Sequence, residues 1–346
     1  MISSLALALS MSAPVDASEI AINTNGHATN PSWSLSGQYL AFEMNTFAGQ
    51  IDLFVAKIQN GNLVGEPQQV KLPGASSSFG GGGTVAVSPQ WHPQGRLIFE
   101  GNNKGSSTRL FDWAPGGSAA TELLSTAQIQ GDLAWPSIRF DGGAVAFTSS
   151  HTGQGDVYIW DRASNKVSQA FTSPFSESGP RYDHASSLAY SRKNAGSEDI
   201  FVFKDGKSVP QAGGNGDQTR PTWVGATVVF FSNERGDDKW DIVTSAGAGQ
   251  KVTIARDVRL PDRAPPALTP DKQWVVYGLA DPDRSNRIVF TKVDGSQTVE
   301  IESELVACGE PAIALSGGRW FLAYSALPSQ GSDWRRLHVV DVTGRL

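Results

Sequence analysis

Short apolar runs alternate with glycine-bearing polar turns along the whole chain, and one arrangement of them recurs. The stretch Pro31 to Val55, PSWSLSGQYLAFEMNTFAGQIDLFV, shows it most fully. It has a Pro-x-Trp start, a turn at Ser36 and Gly37, and an apolar run from Tyr39 to Phe42. A polar loop centred on Gly49 follows, then a second run from Leu53 to Val55. Runs of this length bounded by turn residues predict two short strands. Variants begin at Pro89 (LIF to Phe99, then RLFDW), Pro136 (VAF to Phe147, then DVYIWD) and Pro180 (LAY to Tyr190, then DIFVF). Others begin at Pro221 (VVFF to Phe231, then DIV), Pro266 (WVVY to Tyr277, then RIVF) and Pro311 (WFLAY to Tyr324, then RLHVV). Successive anchor prolines lie 58, 47, 44, 41, 45 and 45 residues apart. A period of this size marks propellers and related arrays, in which no single repeat buries its own apolar face.

The ends of the pattern explain each other. Glu19 to Asn23 (EIAIN) reads as a lone strand before the first repeat, and the last repeat stops after its third strand, at Val342 to Leu346. With four strands per blade, the N-terminal strand completes the last blade and ties the chain ends together, leaving only short protected edges. The expectation is an all-β, seven-bladed β-propeller, with six blades as the alternative. It occupies residues 19–346 as one domain behind a signal-like or disordered segment, residues 1–18.

Composition agrees. The 37 glycines, 19 prolines and 39% apolar residues suit many strands separated by turns. Of ten tryptophans, Trp33, Trp91 and Trp223 stand two residues after an anchor proline, while Trp274 and Trp320 open a following strand. Tryptophans locked to the repeat are expected to pack between blades. A formal charge of −6 with scattered signs argues against a nucleic-acid surface. No stretch of some 20 apolar residues is present to span a membrane as a helix. The first residues, MISSLALALSMSAPVDA, have the apolar core and small residues of a secretory signal without its positive start, which points to export, with a cytosolic tail as the alternative.

The pattern Pro-x-Trp-Ser-x-x-Gly-x-x-Leu-Ala-Phe, with Asp-Ile/Leu/Val-Tyr/Phe-Val some ten residues on, resembles the WD40-like (PD40-type) repeat of TolB-type β-propellers. The resemblance covers nearly the whole chain and implies the fold. The best-known member of that family works in the bacterial periplasm, where its six-repeat propeller, behind a small α/β domain, binds a peptidoglycan-associated lipoprotein. Here there are seven anchors and no such domain, and no partner-binding residue can be transferred by position. Similar propellers also gate prolyl-oligopeptidase-like peptidases and form sugar-acid lyases and lactonases, so the fold leaves function open.

Candidate chemistry is sparse. There is no Gly-x-Ser-x-Gly nucleophile elbow. The five histidines (His27, His92, His151, His184, His338) lack zinc-ligand spacing, although blades can bring distant residues together. Asp281 to Ser285 imitates half a calcium loop but has Asn286 and Lys292 where that loop needs Gly and Glu. The glycine-rich run Pro73 to Thr84, with Phe79 at its crest, lacks the Gly-Lys-Ser/Thr of a phosphate loop. Cys308 stands alone and reads as a small buried residue. What remains is the expected axis, flanked by residues near the anchors. Arg139, Arg181, Asp183, His184, Arg220 and Glu310 are the candidates for a channel-mouth site taking a small anion or a peptide terminus, the alternative being that they pair between blades or serve structure alone. No catalytic residue, metal ligand or cofactor is assigned. The reading is a non-catalytic protein-binding or scaffolding module with a protein partner; the alternative is a metal-assisted lyase or lactonase.

Overall fold

A computed structural model describes residues 17–20, 26–46, 49–74, 83–103, 106–194, 196–236 and 238–346. The glycine-rich crest with Phe79, most of the leader-like segment and residues 21–23 of the expected first strand lie outside these. Among the described residues the only helix is a single 3-10 turn, Pro282–Arg284, capped by the Asp281 carboxylate on the Asp283 N–H. That cap explains the calcium-like sequence as turn chemistry.

In every repeat the first three strands pair antiparallel in chain order. The third repeat is typical, with strands Leu133–Ile138, Ala144–Ser149, Asp156–Asp161 and Lys166–Gln169. Its second strand is buried at all six positions, as a strand covered on both faces must be, which is why the sequence reads there as a continuous apolar run. The fourth strand alternates between exposed and half-buried. Asp205-Gly206, both left-handed at φ +50° and +73°, closes the hairpin between Ser197–Lys204 and Lys207–Ala212 as a mirror-image turn.

Hydrogen bonding groups the described strands into six sheets, one of them nine-stranded. The first two repeats share that larger sheet through a single parallel bridge, Ile51 to Val85, with the Ile51 N–H also bonded to the Thr84 carbonyl. The bridge sits where the anchor spacing is longest. At the other end, Ser18–Glu19 pairs antiparallel with Arg336–Asp341, Ser18 opposite Val339 and Glu19 opposite His338. The Ile20 N–H continues the ladder to the Leu337 carbonyl.

The first strand of each repeat lies toward the propeller's centre, because these strands bond to one another from repeat to repeat. Trp33 Nε1 donates to the Ala312 carbonyl at 3.3 Å, Trp91 Nε1 to Ser32 at 2.8 Å, and Trp223 Nε1 to Arg181 at 2.9 Å. Each acceptor is the residue immediately after a neighbouring anchor proline. Trp33, Trp91 and Trp223 therefore lie between repeats, their rings buried and their single polar atom satisfied. Cys308 is fully buried, and burial pushes its thiol up to about 11.

Candidate functional site

One residue before the anchor prolines, Asn30, Ser88, Trp135, Arg220 and Glu310 all take a left-handed backbone, φ +49° to +57°, and Gly179 does so at +59°. A bulge interrupts the pairing of each inner strand at this point. Proline disfavours right-handed helical geometry in the residue before it, and the left-handed alternative costs a non-glycine residue about 1–2 kcal/mol. Side chains hold several of these residues in place. Asn30 N–H donates to Glu310 Oε2 at 2.9 Å, Ser88 N–H to Glu43 Oε1 at 2.8 Å and Trp135 N–H to Glu100 Oε1 at 2.8 Å. Arg220 N–H donates to Ser191 Oγ at 3.2 Å.

Glu43, Glu100 and Ser191 occupy one column of the repeat, the position after the second-strand aromatic. The other repeats carry Thr148, Ser232, Gly278 and Ser325 there. Two carboxylates thus stand where the repeat otherwise keeps a small side chain. Both are buried. Burial raises the Glu43 carboxyl to about 7, against the opposing pull of bonds from Asn30 and Ser88 and of the Arg263 charge. Burial raises Glu100 as well, opposed first by Arg263.

Arg263 arrives from Arg259–Pro266, RLPDRAPP, which leads into the sixth repeat. Two consecutive prolines precede Ala267–Leu268, so the inner strand here is only two residues long. The segment reaches across to the second repeat, where Arg263 Nη1 meets Glu100 Oε2 at 3.2 Å. Beneath it lies a cavity of about 20 Å³ lined by Asn30, Arg259, Pro261, Tyr277 and Glu310 among others, room for a single water.

The six sequence candidates divide. Arg181, Arg220 and Glu310 stand among these central charges. Arg181 Nη1 donates to the Pro136 and Pro180 carbonyls, and burial lowers its pKa to about 10 against the field of Glu100. Burial raises Glu310, with the Asn30 N–H and the Arg335 charge opposing. Burial lowers Arg220, with Asp262 and Glu198 opposing. Arg139, Asp183 and His184 lie in first-to-second-strand turns. Arg139 holds Asp141 through two bonds at 2.8 and 3.0 Å. Asp183 accepts the Ala185 and Ser187 N–H groups, while exposed His184 rests 5.7 Å from the Phe140 ring.

Sequence reasoning missed Glu43, Glu100, Asp262 and Arg263. The column of residues after the aromatics would have exposed the two glutamates. The pair of arginines and the aspartate packed among three prolines would have exposed the crossing segment. Among the described residues no three His, Cys, Asp or Glu side chains converge to hold a metal ion, and no helix is long and apolar enough to cross a membrane.

The sequence matches no family model and no curated protein. Solved structures do match. A puromycin-hydrolyzing peptidase of Mycobacterium tuberculosis aligns with 93% of this chain at 14% identity and a TM-score of 0.65, this chain covering 52% of its length. An oligogalacturonate lyase of Vibrio parahaemolyticus aligns with 95% of this chain and 94% of its own at 8% identity, TM-score 0.62. TolB of Acinetobacter baumannii aligns with 81% of this chain and 67% of its own at 18% identity, TM-score 0.57. The fold is a β-propeller. At these identities the likeness carries architecture alone, so TolB-like describes the blade type. The propeller spans about half the length of the peptidase it matches.

Proposed function

We propose that this chain is a seven-bladed propeller, closed by Ser18–Glu19 in the last blade, and that it acts as a non-catalytic protein-binding or scaffolding module in an exported, envelope-associated assembly. The hydrogen bonds between sheets support the ring. They run from the first repeat through each neighbour, for example Tyr182 N–H to Ser137 Oγ, Ala280 N–H to the Asp257 carbonyl and Cys308 N–H to the Ser285 carbonyl, and return through Asn30 and Glu310. Export rests on the signal-like first residues and on the TolB-type repeat.

The observation that carries the binding reading is the crossing segment. The Arg263–Glu100 pair fills part of the centre, which leaves the rims and faces of the wheel as the surface for a protein-sized partner. Exposed Leu35, Phe140 and Leu315 stand there, in or beside first-to-second-strand turns. The test is affinity capture from a native envelope fraction with the tagged full chain, followed by mass spectrometry and reconstitution from purified components. A protein retained at fixed stoichiometry and rebinding in purified form is the expected result.

A second reading, a lyase, is favoured by the nearly end-to-end match with oligogalacturonate lyases, one of them solved in complex with manganese. Turnover of oligogalacturonate by the purified chain with manganese, together with no retained partner, would replace the binding reading.

A further inference from the structure

Arg220 differs from three other arginines at the centre, and shares with Arg259 a buried guanidinium nitrogen that has no acceptor among the described residues. Arg263 has Glu100, Arg181 has two carbonyls, and Arg335 donates to the Ala307 carbonyl and to Ser325. Among the described residues no side chain within 4 Å neutralises the Arg220 guanidinium, and its Nη1 is buried without a hydrogen-bond acceptor. Buried donors in folded proteins are nearly always satisfied by protein, water or ligand, so this nitrogen is open to an acceptor. The backbone beneath it is fixed: left-handed before Pro221, its N–H held by Ser191. This side chain is therefore presented from a rigid point on the inner strand.

The surrounding charges say what the acceptor is. Asp262 and Glu198 act on Arg220 through their fields, and Arg263 adds a second cation. Asp262 is exposed and comes from the crossing segment. It is near enough to be felt and too far to bond, so the guanidinium meets a carboxylate of its own chain only at long range. The planar fork of arginine matches a carboxylate through two parallel bonds.

We propose that Arg220, flanked by Arg263, is a binding site for a single carboxylate group entering along the axis, and that Asp262 opposes its entry. The site is the polar centre of the wheel described above and depends on that architecture. It does not depend on the protein partner, whose capture is read separately.

Isothermal titration calorimetry with two probes tests it: succinate, and the peptide acetyl-Ala-Ala-Ala with a free C-terminus, its C-terminal amide serving as control. Saturable binding of at least one acid is expected, with no binding of the amide. Asp262→Asn removes the opposing charge and tightens binding about tenfold, roughly 1.4 kcal/mol. Arg220→Met weakens it at least as much. If Arg220→Met fails to fold, Arg220→Lys keeps the charge without the fork and is expected to weaken binding in the same direction. A peptide acid that outbinds succinate identifies a chain terminus as the source, whereas equal affinities identify a free small acid. No saturable binding of either acid to the Asp262→Asn protein, or binding indifferent to a folded Arg220 variant, overturns the proposal while leaving a captured protein partner untouched.

Discussion

Glu43 sits at the junction of three repeats, accepting from Asn30 Nδ2 of its own repeat and from the Ser88 N–H of the next, with Glu310 of the last repeat close enough to raise its pKa. Because its folded pKa is about 7 and its ordinary value 4.5, the native state holds a proton that the unfolded chain has released. The resulting stability is fully present below pH 4.5 and is lost as pH rises through 7, by about 3 kcal/mol in all. Glu43→Gln keeps an acceptor for Ser88 and removes the titration, so urea denaturation between pH 4.5 and 8 is expected to show a shallower decline than wild type. His338 works in the opposite sense. Its ring is buried, neither nitrogen has a hydrogen-bond partner among the described residues, and burial lowers its pKa to about 4 from 6.5. Here the unfolded chain binds the extra proton, so stability falls as pH drops from 6.5 towards 4. In His338→Phe that acid-side loss is expected to shrink, as read from melting temperatures at pH 4.5 and 7.

Among elements, the strand Ser18–Glu19 and the residue after it make the clearest case. Ile20 is fully buried in a cluster containing Phe42, Phe321, Leu337 and Val339, side chains from the first and last repeats. Ile20→Ala is expected to cost about 2–5 kcal/mol in urea denaturation, a loss that an unpacked N-terminal strand would not show. Trp223→Phe deletes the bond to the Arg181 carbonyl, worth about 1 kcal/mol, and removes the five-membered ring from a buried site, so the cavity left behind adds to the expected loss. The crossing segment gives a sharper contrast. Arg263→Ala leaves the buried Glu100 without its cation, at a cost of about 1–3 kcal/mol given that Arg263 is itself 40% exposed, whereas Arg263→Ala with Glu100→Gln is expected to recover much of it. A double-mutant cycle on unfolding free energy reads that coupling. The short inner strand of the sixth repeat was not legible beforehand, because Pro265-Pro266 looks like an ordinary anchor until its neighbours are seen to reach across to the second repeat.

At the scale of the whole molecule, the repeat was legible because each unit buries its second strand on both faces, and that demand writes an apolar run such as VAF or LAY into every copy. The tryptophans were legible for the same reason, being fixed at Pro+2 in Trp33, Trp91 and Trp223. The central charges were half legible. Arg181, Arg220 and Glu310 flank anchors and could be placed by counting, but Glu43 and Glu100 lie on second strands, where their purpose depends on the backbone N–H of the next repeat. Arg139, Asp183 and His184 flank anchors too but fall just past the ends of the first strands Leu133–Ile138 and Ser176–Tyr182, in turns. Wheels of this kind distribute stability among neighbouring interfaces, and the parallel bridge between Ile51 and Val85 makes one of those interfaces different. Two repeats laced by backbone should open as a single cooperative unit, so in native-state hydrogen exchange amides on Tyr39–Asn45 and Leu97–Asn102 should share one opening free energy, while other blades exchange at values of their own.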